Sequence, residues 1–403
     1  MKNLINKKLL LVICGGIAAY KSLELIRILK KNKCQIKTIL TKSALEFITP
    51  LSVSSLSNEK VYTDLFDFKN ETEMDHISLS RWADLILFAP TTANKIAQLS
   101  NGLAEDLATT VALASNKDIF LSPAMNVRMW ENKITKKNLN KLVNFNYKII
   151  GPEIGEMACG EYGAGKFSDP LKIANIINEY FKNLEINKKF KALITAGPTR
   201  EYIDPVRYIT NRSSGKQGYA IANEFQKNGF HTTLISGPTN LKPPDGVEII
   251  NVNSADEMYE RTIENLPVDV AIFAAAVSDF KMKEINYEKI KKESLKKLEI
   301  EKNKDILDLT SKHNSLRPKL VIGFAAETNN IEENSRKKLN EKSCDWIIAN
   351  DVSNKKIGFD SEFNELKIFK KNTSNIQNIS FNTKEMIAKT LVEKISNELR
   401  ANG

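Results

Sequence analysis

The chain has 403 residues, 42% hydrophobic and 27% charged. That length suggests two or three domains, each able to bury its own core. The composition excludes disordered, collagen-like, disulfide-dense and membrane-spanning classes, since the longest apolar run, 9–20, has 12 residues and two glycines, too short for a bilayer. Against 49 acidic residues stand 59 basic ones, a net charge of +10, but these are 49 Lys and only 10 Arg. Readers of duplex nucleic acid lean on Arg for forked base contacts. Lysines spread along the chain read instead as a solvated surface whose field attracts phosphorylated small molecules.

Lys2, Lys7 and Lys8 ahead of LLLVICGGIAA imitate a secretory signal. The residues after them favour a different reading. Leu23, Ile26 and Leu29 fall at helical spacing and 35–40 reads as a strand, so the chain opens on the strand–turn–helix–strand unit of a cytoplasmic α/β enzyme. Cys14, Cys34, Cys159 and Cys344 lie far apart, with no CxxC or zinc spacing, as expected of free thiols in a reducing compartment.

Strands are expected at 9–14, 35–40, 84–89, 118–121 and 147–149, with helices beginning near Ala18, Ala44, Ala93, Leu107 and Leu171. Strands this apolar are buried on both faces, which implies a parallel sheet between helix layers. The charged stretch 182–190 suits a linker. The pattern then restarts, with strands at 191–195, 232–235, 247–252, 268–274, 320–324 and 346–349, and helices from about Gln217 and near 255–266, 331–342 and 384–399. No sequence repeat relates the halves. The expectation is two α/β domains, 1–188 and 189–403, each a mostly parallel sheet flanked by helices in a flavodoxin- or Rossmann-like sandwich.

GGIAAYK (15–21) joins the first strand to the first helix, where glycines bring backbone N–H groups towards an anion. APTTAN (89–94) and LSPAMN (121–126) follow apolar strands, and NGLAEDLATT (101–110) lies between them. Hydroxyl and amide groups beyond strand carboxyl ends mark a ligand site in open α/β sheets. His76 stands in MDHISLSRWADL, and Cys159 in GEMACGEYGAGKF, with four glycines in 13 residues. A cysteine in such a loop suits a lid carrying an acidic thiol. In order, these segments resemble the flavin-containing cysteine decarboxylases, and more narrowly phosphopantothenoylcysteine decarboxylase, over 8–185. The resemblance implies bound FMN and a redox-neutral decarboxylation through a thioaldehyde, whose sulfur accepts the electrons left by CO2. It implies Cys159 as the closing acid, His76 as an aid to oxidation or decarboxylation, and Asn126 as the carboxylate holder. Gly15, Gly16, Thr41, Pro90, Thr91, Asn94 and Thr110 are its FMN-side candidates. Gly16 stands where the family carries Ser.

In the second half, AGPTREYIDPVRYITNRSSGKQG (196–218) holds Arg200, Arg207 and Arg212, three of the ten arginines. In a lysine-rich chain such clustering points to forked binding of phosphate or carboxylate. It is not a Walker motif, because Thr210 and Gln217 break the pattern. FAAAVSDF (273–280), FAAETNN (324–330) and IIANDVS (347–353) carry polar tips to the same sheet edge, and Lys338 and Lys342 form an i, i+4 pair. This half resembles phosphopantothenate–cysteine ligase over about 190–400. The resemblance implies attack of phosphopantothenate on CTP, loss of pyrophosphate, and capture of the acyl cytidylate by cysteine, with Mg2+ offsetting triphosphate charge. Ala275, Asp279, Lys289, Lys304, Asp305, Ile306, Leu307, Phe324, Lys338 and Lys342 would line the CTP site. Asn211 would stabilise the acyl cytidylate and the tetrahedral intermediate that follows. Lys304 replaces the family's usual Pro. The resemblance also implies a homo-oligomer, with trimers of the first half and dimers of the second. A flavin-binding regulatory protein of the same fold is the alternative.

Overall fold

The computed structural model describes residues 1–65, 75–158, 160–291, 297–353 and 361–401. It divides into two compact units, Met1–Lys182 and Asn183–Gly403. Among the described residues no helix is long and apolar enough to cross a membrane.

In the first unit the strands are β1 (Lys8–Ile13), β2 (Gln35–Leu40), β3 (Val61–Tyr62), β4 (Leu85–Thr91), β5 (Ile119–Pro123), β6 (Lys148–Ile149), β7 (Glu153–Glu156) and β8 (Tyr162–Lys166). The helices are α1 (Lys21–Lys31), α2 (Pro50–Ser57), α3 (Asp75–Trp82), α4 (Ala93–Ser100), α5 (Leu107–Leu113), α6 (Val127–Glu131), α7 (Lys133–Asn144) and α8 (Pro170–Asn187). Six strands form one parallel sheet in the order β3-β2-β1-β4-β5-β6. Leu9 to Ile13 and all of β4 are buried, as strands covered by helices on both faces must be. The helix expected near Ala44 is a 3₁₀ turn, Lys42–Glu46, followed by α2, whose Thr49 cap and Pro50 set a separate start.

β7 and β8 form an antiparallel hairpin outside that sheet. Its Gly165 has φ +143°, and a Cβ there would lie 2.2 Å from the Met125 carbonyl oxygen. Met125 donates its N–H to the Gly165 carbonyl at 3.0 Å. Glycine therefore lets the hairpin press its backbone against the loop after β5.

The stretch 182–190 is not an extended linker. α8 continues through Asn187, because Ile173, Ala174, Ile177 and Phe181 bury one helical stripe. Asn187 is itself buried and donates its amide to the Asn228 carbonyl at 2.9 Å.

In the second unit the strands are β9 (Lys191–Ala196), β10 (Arg200–Tyr202), β11 (Tyr208–Thr210), β12 (His231–Ser236), β13 (Glu248–Asn251), β14 (Val270–Phe273), β15 (Phe280–Met282), β16 (Ile300–Lys302), β17 (Leu320–Glu327), β18 (Trp346–Asp351), β19 (Phe363–Lys370) and β20 (Gln377–Thr383). The helices are α9 (Lys216–Lys227), α10 (Ala255–Glu264), α11 (Ile306–Ser311), α12 (Ile331–Glu341) and α13 (Lys384–Ala401). The main sheet runs β13-β12-β9-β14-β17-β18-β19-β20. Its first six strands are parallel, and β19 and β20 add antiparallel at one edge. The six parallel strands repeat the order of the first unit, although the two sequences share no repeat. In both sheets the order reverses beside the first strand, which opens a crevice at the carboxyl ends.

Candidate active sites

The first unit opens a cavity of about 770 Å³ at that crevice. Gly15, Gly16, Ile17 and Ala18 border it after β1, Pro90 near the end of β4 and Thr92 just beyond it, and Met125 and Asn126 after β5. Met157 and Lys166 close it from the hairpin side. At Gly15 a Cβ would fall 2.3 Å from the Ser43 Cβ, so only glycine lets this loop lie against the turn after β2. Asn126 caps α6, its Oδ1 accepting from the Met129 N–H at 2.8 Å.

Of the FMN-side candidates, Gly15, Gly16 and Pro90 line the cavity; Thr41, Thr91, Asn94 and Thr110 do not. Thr91 still belongs to β4, is fully buried, and spends its hydroxyl on the Phe88 carbonyl at 2.7 Å. Thr92, the next residue, faces the cavity and caps α4. The Thr41 hydroxyl is buried and donates to the Ile13 carbonyl at 3.4 Å. Asn94 is exposed, and Thr110 donates to the Ala104 carbonyl at 3.4 Å. His76 is half-buried at the start of α3, outside the lining. Cys159 lies outside the described residues, between Met157–Ala158 on the cavity wall and Gly160. Burial pushes the Cys14 thiol, beside the Gly15 turn, up to about 12, so it stays protonated and inert at neutral pH.

Beneath the NGLAEDL loop, buried Lys95 donates to Asp106 at 2.5 Å. Asp106 also caps α5, accepting from the Thr109 N–H, and the Thr109 hydroxyl accepts in return from the Asp106 N–H at 3.2 Å. Partial burial would raise the Asp106 carboxyl, but the bonds from Lys95 and Thr109 outweigh it and hold it below the ordinary 3.8. Replacing Asp106 with Ala should cost about 1 kcal/mol for the lost cap. It should cost more because the Lys95 ammonium is left without its partner. A depressed carboxyl stabilises above its unfolded value, so the gap between parent and variant should be constant from neutral pH to about 3.8. It should close as the pH falls through the lower folded value. Denaturant midpoints across that range are the check, and a gap that widens in acid would contradict the assignment.

The second unit has a cavity of about 930 Å³ in the corresponding crevice. Gly215 to Gly218 at the start of α9, Phe273 at the end of β14 with Ala274 to Asp279 after it, and Phe324 and Ala326 on β17 line it. Of the CTP candidates, Ala275, Asp279, Lys304, Asp305, Ile306, Leu307, Phe324 and Lys342 are in this lining, and so is Asn211. Asn211 donates one amide hydrogen to the Val277 carbonyl at 2.8 Å, which leaves it a second donor. Lys342 reaches Asp305 at 2.6 Å, and that carboxylate holds the ammonium pKa above its usual value. Lys304 sits 3.3 Å from Asp256 and over the Tyr259 ring.

Two candidates lie elsewhere. Lys338 is one helical turn before Lys342 and pairs with Glu327 at 2.7 Å, outside the lining. Lys289 is exposed on the segment after β15, also outside it. Conversely, Lys216, Gln217, Asn364 and Lys384 line the cavity although sequence reasoning gave them no role. Gln217 donates to the Lys384 carbonyl and accepts from Asn364, and Lys216 pairs with Glu362. The run SSGKQG pointed towards the first two; nothing in the sequence marked the last.

The flavoprotein family model matches residues 1–182, and that of the DNA/pantothenate metabolism flavoprotein C-terminal domain matches 187–399. The coenzyme A biosynthesis bifunctional protein of Haemophilus influenzae is 42% identical over 392 residues, 97% of each chain. The chain belongs to the family of bifunctional coenzyme A biosynthesis proteins. The Escherichia coli K12 member is 39% identical over 398 residues, 98% of this chain and 97% of that one. A solved structure of the C-terminal domain of such a bifunctional protein is 38% identical and covers 53% of this chain and 99% of its own, with a TM-score of 0.45. The chain is thus a bifunctional decarboxylase and ligase serving two steps of coenzyme A biosynthesis.

Proposed function

We propose that the second unit joins 4'-phosphopantothenate to cysteine with CTP through an acyl cytidylate, and that the first unit decarboxylates the product to 4'-phosphopantetheine with FMN. The observation that carries this reading is the pair of cavities, each at the carboxyl-end crevice of its own sheet and each bordered by the chemistry its substrate needs.

The residues of the first cavity fit FMN. Backbone of Gly15 to Ala18 offers donors for a phosphate, while Pro90, Met125 and Met157 give apolar walls for a ring. Bound FMN supplies reversible two-electron oxidation of the thiol-bearing carbon, so CO2 leaves against a sulfur electron sink. Asn126 holds the substrate carboxylate at the mouth of α6. Cys159 gives the last proton to the substrate carbon, and His76 assists an earlier step. Exposed Ile17 and Tyr20 border the cavity and suit coverage by another subunit, in keeping with a homo-oligomer of decarboxylase trimers and ligase dimers in the cytoplasm.

In the second unit Lys304 and Lys342 face the triphosphate, Asp279 and Phe324 the nucleoside, and Asn211 the acyl oxygen. Lys289 and Lys338 complete the cationic set from outside the present lining. Among the described residues no group of three or more His, Cys, Asp or Glu could hold a metal, so Mg2+ would arrive on the triphosphate, which supplies the oxygen ligands. The full chain given phosphopantothenate, cysteine, CTP and Mg2+ should release pyrophosphate and CO2 and form phosphopantetheine. Pyrophosphate without CO2 would remove the decarboxylase half of this reading.

The two activities divide between 1–188 and 189–403, six residues past the boundary of the compact units, so that α8 stays with the first. A fragment 1–188, which keeps α8 whole, should be soluble and yellow. Good expression without flavin absorbance would place either the boundary or the cofactor elsewhere.

A further inference from the structure

Between β10 and β11 the chain turns through 203–207, and the carboxylate of Asp204 sits fully enclosed in that turn. Its Oδ1 accepts from the Val206 and Arg207 N–H groups at 2.8 and 2.9 Å. Its Oδ2 accepts from Arg207 Nε at 2.9 Å and Nη2 at 2.5 Å, and from the Ile290 N–H at 3.2 Å. Arg207 Nη2 donates onward to the Ile290 carbonyl at 2.7 Å. Both backbone polar groups of Ile290 are therefore tied to one carboxylate–guanidinium pair. Four residues earlier, Asn286 donates its N–H to the Ile203 carbonyl at 3.2 Å. The segment 286–290 is fastened to the turn at both ends, and exposed Lys289 stands between the fastenings.

We propose that Asp204 is a positioning residue for Lys289, acting through Ile290. The proposal rests on the reading of Lys289 as a triphosphate cation. An ammonium at the end of four methylenes on a free surface segment carries large rotamer and backbone entropy. Fixing the segment in advance removes most of that cost before the triphosphate arrives. The local turn does not require the reach to Ile290, since Val206 and Arg207 already satisfy one oxygen. Nor does the β10–β11 ribbon depend on it. Arg200 donates to the Asn253 carbonyl at 2.7 Å, Glu201 accepts from the Ala255 N–H at 3.0 Å, and Thr210 donates to the Thr199 carbonyl at 2.7 Å.

The test uses the full chain with phosphopantothenate, CTP and Mg2+ but no cysteine, following pyrophosphate. Asp204→Asn cannot accept on both sides and should slow release by about 10–100-fold. In a Lys289→Gln background the same change should add less than about twofold, because its effect passes through Lys289. Equal slowing in both backgrounds overturns the proposal. A Lys289→Gln enzyme as fast as the parent would instead remove Lys289 from the chemistry, and with it the step that Asp204 serves. The anchoring itself has a readout independent of activity. Brief trypsin treatment should cut Asp204→Asn faster after Lys289 and Lys291, with cleavage elsewhere unchanged. Arg207→Lys, which keeps the charge and loses the fork, should show the same local acceleration if the first variant folds poorly. Parent-like cleavage at 289–291 in both variants also overturns it.

Discussion

Changing Cys159 to Ser is expected to stop phosphopantetheine formation while CO2 is still released. The proposed sequence leaves an ene-thiolate after decarboxylation, and saturating it needs a proton at carbon. A thiol is acidic enough to give that proton near neutral pH; an alcohol, several units weaker, is not. General-acid groups are worth about 10²–10⁴-fold, so the final product should form at least about 10²-fold more slowly. Ene-thiol product should accumulate to about one equivalent per flavin under anaerobic conditions, since the two electrons taken from each substrate are not returned to it. Ligation in the second unit should be unaffected, because its cavity is built wholly from residues beyond 194. Three described cysteines, Cys14, Cys34 and Cys344, are buried, and burial first of all raises each thiol to about 12. None of them is a ready substitute donor. Mass analysis of quenched product separates the outcomes, and full-rate phosphopantetheine from the Ser variant would take the thiol out of the mechanism.

The parallel strands were legible because burial on both faces demands an unbroken apolar run, as in LLLVI of β1 and LILFAP of β4. The hairpins were not. In β19 the buried residues Asn364, Leu366 and Ile368 alternate with exposed Phe363, Glu365 and Lys367, so the inward and outward sets do not sort by polarity. β8, YGAGK, is glycine or alanine at three of its five positions and owes its place to the close approach at Met125. Strand ends were legible, but which of two neighbouring side chains meets the cavity was not. Thr91 and Thr92 are equivalent on paper, yet the strand's last residue turns its hydroxyl onto its own backbone while its neighbour meets the cavity. Lys338 and Lys342 share a helix face, but the turn between them takes one to Glu327 and the other to Asp305. Lys384 reaches the site of Lys216 only because β19 and β20 add antiparallel to the sheet and deliver the start of α13 there. That is a non-local fact, which no window of sequence contains.

Asn211 and Lys289 should separate into different half-reactions. Lys289 is an exposed ammonium outside the cavity lining, held close to the β10–β11 turn. A cation so placed can offset charge on a triphosphate or on departing pyrophosphate, and it has nothing to offer once pyrophosphate is gone. Asn211 lines the cavity, and its amide is oriented by the bond to Val277. Its second hydrogen can meet an acyl oxygen only after the cytidylate exists. Lys289→Gln should therefore suppress pyrophosphate release even without cysteine. Asn211→Asp should still release pyrophosphate and load the cytidylate, but pass it slowly to cysteine. A carboxylate there gives no hydrogen bond and repels the negative charge growing on that oxygen. Loss of one such donor costs about 10²–10³ in rate, and the added repulsion pushes the effect to the upper end. Quenched reactions with labelled CTP, with and without cysteine, follow pyrophosphate and cytidylate separately. If both variants block the same half-reaction equally, the division of labour is wrong even though ligation stands. If Asn211→Asp alone abolishes pyrophosphate release, the amide belongs to the first transition state, and the Val277 anchor orients it towards the attacking carboxylate rather than towards its product.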